Sequence, residues 1–199
     1  MHIVNVGYRS VNYFAVGRTG TPLLVDCGWP GSMPLLLANL KRADIALSAF
    51  RYLLVTHFHP DHAGLAQELK RAGLKLLVFE GQEPFIPQLA QWMKPAMRYD
   101  PITRHDNVQV PLAESRALLR SIGIDGQVIA TPGHSDDSVS LVLDTGDAFI
   151  GDLTAPFAVS EENAATVHAS WAAIRAAGGR TIHHAHAPCL LYTSPSPRD

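Results

Sequence analysis

Six consecutive residues, His57-Phe58-His59-Pro60-Asp61-His62, include four side chains that can bind a metal ion. They directly follow residues 51–56 (RYLLVT), an apolar run that predicts a buried β-strand. Side chains two residues apart on an extended chain point to the same side, so His57 and His59 can bind one ion. After the bend expected at Pro60, Asp61 and His62 begin a helix and can reach a second ion. The motif therefore predicts a metal site at a strand-to-helix junction.

The types of ligand favour a catalytic site over a structural one. Imidazole and carboxylate groups are ligands that zinc and related divalent ions accept, whereas closed structural zinc sites rely heavily on cysteine. The chain has only two cysteines, Cys27 and Cys189, and neither lies in the motif. We expect both to be free thiols in a reducing cytoplasm, with one disulfide as the alternative.

Short β-prone runs and amphipathic runs alternate along both halves of the chain, which predicts a layered α/β fold. Strands are expected at 2–6, 12–16, 22–25, 51–56, 75–79, 128–130, 139–143, 148–150 and from 181. Helices are expected at 35–40 with Ser32 as N-cap, at 63–72, at 112–121, and between Ser160 as N-cap and Gly178. Residues 82–107 contain four prolines and several large apolar side chains, and no regular element is predicted there.

Composition places the chain among globular proteins with one core. Of the 199 residues 47% are hydrophobic and 17% are charged, so we expect a single domain over 1–190. Residues 191–199 are rich in serine and proline and are expected to be a disordered or non-native tail. The net charge of −2 and the scattered lysines and arginines argue against a nucleic-acid partner. No leader and no long apolar run is visible, so a cytoplasmic protein without membrane contact is expected.

The motif at 57–62 resembles the HxHxDH signature of the metallo-β-lactamase superfamily, and three later segments resemble its companion motifs. Each later segment follows a predicted strand, in the order that the family shows. They are Thr131-Pro132-Gly133-His134-Ser135, Gly151-Asp152-Leu153 and Ile182-His183-His184-Ala185-His186-Ala187-Pro188. Together the four segments extend the resemblance over about residues 1–188.

The resemblance implies a four-layer αβ/βα sandwich with two metal ions at one edge of its two sheets. It implies that His57, His59 and His134 bind the first ion. The second ion would be bound by Asp61, His62 and His186, with Asp152 bridging the two. His183 and His184 are alternatives to His186, because strand alternation could present either of them.

Several other residues are candidates for supporting roles. Asp26 and Thr56 could orient a ligand histidine, although Asp26 could equally be a turn residue before Gly28. Substrate contacts are expected from residues on the loops and on the last helix, with ordinary packing as the alternative reading: Trp29, Trp92, Met93 and His168. Residues 82–107 could form an apolar lid over the metals, or instead core or a homodimer contact.

A paired metal centre predicts hydrolysis, because two divalent ions can share a bridging hydroxide at neutral pH and polarise a carbonyl. The expected substrate is a small lactone, ester, thioester or β-lactam, and Asp61 is the candidate to orient the nucleophile and carry a proton. Zinc is the expected metal, with iron or manganese as alternatives. A phosphodiesterase or nuclease with the same centre, and a non-catalytic metal-binding protein, remain as alternative functions.

Overall fold

The computed structural model describes residues 1–8, 11–18 and 20–186, together with the backbone of residues 190–191. Five α-helices, α1 to α5, span Met33–Arg42, Pro60–Ala63, Ala66–Arg71, Ser115–Ser121 and Ala164–Ala176. The strands of the first half, β1 to β6, are His2–Asn5, Phe14–Gly17, Leu23–Val25, Tyr52–Leu54, Lys75–Phe79 and Val108–Val110. Those of the second half, β7 to β11, are Gly126–Ala130, Val139–Leu143, Asp147–Phe149, Thr181–His183 and Leu190–Leu191.

The strands form two mixed sheets, one from each half of the chain. The first sheet has the order β1-β2-β3-β4-β5-β6, antiparallel from β1 to β3 and parallel from β3 to β6. The second has the order β11-β10-β9-β8-β7, in which β9 and β10 are parallel and the other neighbours antiparallel. Strands β7 and β9 flank β8 and therefore run in the same direction, so their carboxyl ends reach the same edge.

The two sheets pack face to face through one set of alternating side chains. Leu54 and Leu77 of the first sheet share this central core with Leu141 and Phe149 of the second. The intervening residues of the first sheet, such as Leu53, point the other way, as strand alternation requires. The centre of the domain is thus a two-sheet sandwich closed by apolar side chains.

Helices cover the outer face of each sheet. Leu36 and Leu40 of α1, and Leu65 and Leu69 around α3, are buried against the outer face of the first sheet. Val167, Trp171 and Ile174 of α5 are buried with side chains of the second sheet, as their helical spacing predicts. The order helix, sheet, sheet, helix confirms the predicted four-layer αβ/βα sandwich.

The main departures from the predicted elements have local causes. The predicted helix 63–72 is two helices, because α2 starts at Pro60 and the helical turns break around Gly64 and Leu65. Strand β6 was not predicted. Neither Ser32 nor Ser160 makes a side-chain cap hydrogen bond, so both N-cap predictions are wrong in that respect.

The surroundings of the two serines differ. The Ser32 hydroxyl donates instead to the carbonyl of Trp29 at 2.6 Å. After Ser160 the chain first makes a 3-10 turn over Glu161–Asn163, so α5 begins later than predicted. Residues 112–114 likewise form a 3-10 turn before α4.

Part of the predicted tail and one cysteine lie outside the described residues. Cys27 is a buried free thiol, whereas Cys189 and residues 192–199 are outside the description. Leu191, the first residue of the predicted tail, pairs with Thr181 as part of β11. The boundary at residue 190 stays a prediction. Within the described ranges, no helix combines the length and the apolarity needed to cross a membrane.

The central core gives a direct stability prediction. Leu141→Ala removes a fully buried side chain from between the sheets and should lower the free energy of unfolding by about 2–5 kcal/mol. Leu35→Ala makes the same change on the exposed face of α1 and should cost less than about 0.5 kcal/mol. Chemical denaturation of both variants measures the difference, and equal losses would contradict the sandwich core.

Candidate metal centre

The candidate ligands lie just beyond the carboxyl ends of four strands. The 57–62 motif follows β4, His134 follows β7, Asp152 follows β9 and His186 follows β10. At this edge the two sheets are joined directly, because the amide of Val139 donates to the carbonyl of Thr56 at 2.9 Å. Segments from both halves of the chain therefore meet at one place.

His57, His59 and His134 form the first group of candidate ligands. One ring nitrogen from each of them lies within 4.8 Å of the others. His134 Nε2 is 3.0 Å from His59 Nδ1, and the ring centroids of His57 and His134 are 4.8 Å apart. Three imidazoles around one point are a ligand set that a divalent ion accepts.

The second group consists of Asp61, His62, Asp152 and His186, whose candidate ligand atoms also lie within 4.8 Å of one another. His186 Nε2 is 3.0 Å from Asp61 Oδ2 and 3.3 Å from Asp152 Oδ2. His62 Nε2 is 3.3 Å from the same Asp152 oxygen. This group adds two carboxylates to two imidazoles.

Asp152 lies between the two groups. Its Oδ2 is 3.7 Å from Nε2 of His134, which belongs to the first group, and 3.3 Å from His62 and His186 of the second. The carboxylate can thus contact ions in both groups. This position matches the bridging role that the resemblance implies for Asp152.

Buried polar atoms without partners indicate that the centre is built for cations. His57 Nε2, His62 Nε2 and Asp152 Oδ1 are buried and have no hydrogen-bond partner. Leaving such an atom unsatisfied costs about 1–3 kcal/mol, so three in one place need a physical compensation. Coordination of divalent metal ions would supply that compensation, and the residues present fit such a site.

Asp26 and Thr56 form hydrogen bonds that hold His62 of the second group on its buried side. Asp26 Oδ2 is 2.9 Å from His62 Nδ1, and Asp26 Oδ1 accepts the Thr56 amide at 2.7 Å. The Thr56 hydroxyl donates to the same carboxylate at 2.9 Å. The hydrogen bond to Nδ1 leaves Nε2 of His62 directed at the ligand group, as a support for a metal ligand should.

Electrostatics distinguish two of the buried histidines. Burial opposes the charged form of His62, but the carboxylates of Asp26 and Asp152 outweigh it and raise the pKa of His62 to about 10. Burial and the neighbouring imidazoles hold the pKa of His57 well below its usual value. The surroundings of His57 thus favour neutral imidazole, the form that binds a metal, and the carboxylates around His62 favour a positive charge at that position.

Three supporting residues were not identified from the sequence. Gln82 is fully buried, and its side-chain amide donates to the carbonyls of Val55 and Asp137, both at 3.1 Å. Asp137 Oδ2 accepts the amide of Phe58 at 2.7 Å inside the ligand motif. Asn12 donates to the carbonyl of His184 at 2.8 Å and so fixes the loop that carries His186. These contacts join residues that are far apart in the sequence, so no local sequence pattern predicts them.

Gly151 is needed because the chain before Asp152 approaches the centre closely. Its φ of 55° lies in the left-handed region. A Cβ at this position would lie 2.5 Å from Thr56 Oγ1 and 3.4 Å from His57 Nδ1. Because Gly151 has no side chain, the chain after β9 can pass close to Thr56 and place Asp152 next to the 57–62 motif.

The two alternatives to His186 lie outside both ligand groups. His183 Nε2 is 2.9 Å from Asp147 Oδ1, and its ring stacks on Phe149 with centroids 4.6 Å apart. His184 lies 6.3 Å from the ring of Trp171, centroid to centroid, and burial lowers its pKa. His186 alone of the three joins the second group.

Of the residues expected to contact substrate, Trp92 is placed next to the centre. Its indole is 60% exposed, and its centroid lies 5.4 Å from the ring of His59. Met93 is half-buried and packs against the core beneath the first sheet, which favours the packing alternative. Trp29 is exposed on the loop after β3, and His168 is exposed on α5 with Nε2 3.5 Å from the Pro156 carbonyl. For Trp29 and His168 the substrate role stays a prediction.

Comparison with known proteins identifies relatives of this architecture. The family model described as Metallo-beta-lactamase superfamily matches residues 6–186. A hydroxyacylglutathione hydrolase of Xanthomonas axonopodis pv. citri is 28% identical over 137 residues, which are 69% of this chain and 43% of that protein. An atrochrysone carboxyl ACP thioesterase of Aspergillus fumigatus is 28% identical over 149 residues, 72% of this chain and 29% of that protein. The matched region spans less than half the length of both relatives.

A solved structure shares the fold. A metallo-beta-lactamase family protein from Thermus thermophilus superimposes with a TM-score of 0.69 at 20% sequence identity. The alignment covers 95% of this chain and 73% of that protein. At this identity the likeness concerns the fold alone.

The contact between Asp26 and Nδ1 of His62 predicts that Asp26→Asn lowers the metal affinity. The amide keeps the size of the side chain but weakens the hydrogen bond to Nδ1, so metal affinity should fall about 10–100-fold. Asp44→Asn is the matched control, because Asp44 also has a positive φ but is exposed at the end of α1. Competition with a chelator measures both, and unchanged affinity in folded Asp26→Asn would contradict the role.

Gly151→Ala tests the close approach of β9 to the centre. Both this variant and Gly178→Ala place alanine at a positive φ, which costs about 1–2 kcal/mol of stability. Only at Gly151 does the new Cβ also meet neighbouring atoms, since nothing lies within 4 Å of one at Gly178. Metal binding should therefore weaken in Gly151→Ala alone. Equal metal affinity of the two variants, measured by titration, would show that the clash is irrelevant.

Proposed function

This chain belongs to the metallo-beta-lactamase superfamily, and from that premise we propose that it is a hydrolase with two divalent metal ions that cleaves a small carbonyl substrate. The single observation that carries the proposal is the position of Asp152 Oδ2, which lies within 3.7 Å of imidazole nitrogens from both ligand groups. The unpartnered buried atoms of His57, His62 and Asp152 support it.

The chain's residues divide between the two ions as follows. His57, His59 and His134 would hold the first ion. Asp61, His62 and His186 would hold the second, and Asp152 would contact both. Five imidazoles and two carboxylates without a thiolate suit zinc, which is the proposed metal, and iron or manganese would accept the same set.

A bound divalent cation supplies Lewis acidity, which lowers the pKa of water and polarises a carbonyl oxygen. The chain contributes Asp61 as the group that positions a water molecule. Its side chain is 16% exposed, so solvent can reach it, while Oδ2 is held 3.0 Å from His186 Nε2. A carboxylate accepts a hydrogen bond from water and can take its proton, so Asp61 is the proposed general base.

Exposure across the centre indicates where substrate enters. His62 and His57 are fully buried on the side of the supporting Asp26. His134 and His186 have side chains that are 29% and 41% exposed and so form the solvent side. We therefore propose that a small-molecule substrate approaches across His134 and His186.

The substrate class is proposed from the chemistry and from the names of relatives. One relative is a hydroxyacylglutathione hydrolase and another an ACP thioesterase, which supports a thioester or a similar activated carbonyl. Esters, lactones and β-lactams present the same electrophilic carbon and belong to the same proposal.

A hydrolysis panel tests the proposed function. Protein reconstituted with zinc, manganese or iron is assayed on a thioester, an ester, a lactone, a β-lactam and a phosphodiester. We expect turnover of a carbonyl substrate that a chelator abolishes and added metal restores. Turnover of the phosphodiester alone would replace the proposal with a phosphodiesterase, and no turnover of any member would favour a non-catalytic metal-binding protein.

Asp61→Asn tests the proposed base within that panel. Loss of the basic oxygen should lower kcat/KM by about 10²–10⁴-fold. Metal content is measured in parallel, because Asp61 is also a candidate ligand, and Asp44→Asn controls for the loss of one negative charge. Wild-type turnover by Asp61→Asn would exclude this residue as the base.

A further inference from the structure

A cavity of about 310 Å³ opens beside the first ligand group. Its lining includes His59 and His134, so a group bound there would touch the centre on its solvent side. Phe58, Phe85 and Trp92 supply aromatic surface on the same wall. The cavity is therefore suited to an apolar part of a substrate whose carbonyl lies at the metal centre.

Buried hydrogen bonds fix the chain that leads into the aromatic wall. Phe85 and Trp92 belong to the 3-10 turns that follow Gln82, whose side chain accepts the Phe79 amide at 3.1 Å and donates to the Val55 carbonyl. Phe85 also packs against the core beneath the first sheet. Phe85 is thereby fixed by packing, whereas the Trp92 indole is 60% exposed and accessible to a ligand.

One exposed carboxylate, Asp136, gives this cavity its charge. Its neighbour Asp137 is buried and engaged with the Phe58 amide at 2.7 Å. Ser135 and Ser138 close the same turn with a 2.8 Å hydrogen bond between their hydroxyls. Asp136 thus lies at the tip of a fixed turn, and within the described part of the chain neither lysine nor arginine lines the cavity.

The metal centre offsets only part of this negative charge. Two divalent ions bring four positive charges, of which the carboxylates of Asp26, Asp61 and Asp152 offset three. Asp136 and Asp137 then add two negative charges on the side of the cavity. A negatively charged substrate group at this wall would be repelled, whereas a cation would be attracted to Asp136 and to the face of Trp92.

We infer that this cavity is a specificity subsite for an aromatic or apolar substrate group that carries no negative charge, with Asp136 as the residue that sets the charge preference. The inference rests on the proposed function, since the group in the cavity is part of the substrate. It narrows the substrate to carbonyl compounds whose group on this side is neutral or cationic.

The test compares three small ligands of similar size that have no bond to hydrolyse: benzyltrimethylammonium, benzyl alcohol and phenylmethanesulfonate. Each is titrated into metal-loaded protein with isotope-labelled tryptophan, and the indole resonance of Trp92, assigned with Trp92→Phe, reports binding in this cavity. We expect the ammonium ligand to bind most tightly and the sulfonate about ten-fold more weakly.

Variants of Asp136 make the test specific. In the wild type we compare the dissociation constant of the sulfonate with that of the ammonium ligand. Asp136→Asn should reduce this ratio to about two-fold, and Asp136→Lys should make the sulfonate the tighter ligand of the two. Asp44→Asn removes the same charge from an exposed site outside this cavity and should leave the ratio unchanged. An unchanged ratio in Asp136→Asn, tightest binding of the sulfonate to the wild type, or no shift of Trp92 with any ligand would overturn the inference.

The titration is independent of turnover, so its outcome is distinct from that of the hydrolysis panel. An enzyme that hydrolyses the panel but shows no effect of Asp136 on ligand binding would retain the proposed function and lose only the subsite. A protein that binds the ligands as expected but hydrolyses nothing would keep the subsite as a binding site and lose the reaction.

Discussion

The centre depends on the carboxylate of Asp26, which binds the segment before the ligand motif and the ligand His62 at once. Because Asp26 Oδ1 accepts the Thr56 amide and Oδ2 is 2.9 Å from His62 Nδ1, the end of β4 and the start of α2 are fixed relative to β3. The left-handed φ of Asp26 turns the chain so that the side chain faces this edge. The Thr56 carbonyl in turn accepts the amide of Val139 from the second sheet, so the residue that Asp26 holds also couples the two halves of the domain.

Those parts of the fold and of the centre that have a local signature could be predicted from the sequence. Short β-prone runs located strands 75–79 and 139–143 with their observed bounds and the start of the strand at 181, and the motif at 57–62 located the centre. The roles of Gln82, Asp137 and Asn12 could not be predicted, since each acts through a backbone group far along the chain.

The centre has one buried, hydrogen-bonded side and one side that is exposed to solvent, an arrangement that suits hydrolysis. The buried side, with His57, His62 and Asp26, is fixed by hydrogen bonds and by the tight approach of Gly151. The solvent side, with His134 and His186, opens to the aromatic cavity and its acidic tip at Asp136. The metal ligands and their supports would determine the chemistry and the aromatic cavity the substrate, so substitutions of Asp26 and of Asp136 should have separable effects.

Anomalous diffraction from crystals of zinc-loaded protein tests the central claim most directly. The account predicts two peaks, one enclosed by His57, His59 and His134 and the other by Asp61, His62 and His186, with Asp152 in contact with both. Ions bound elsewhere, or His134 and Asp152 turned away from a single peak, would contradict it.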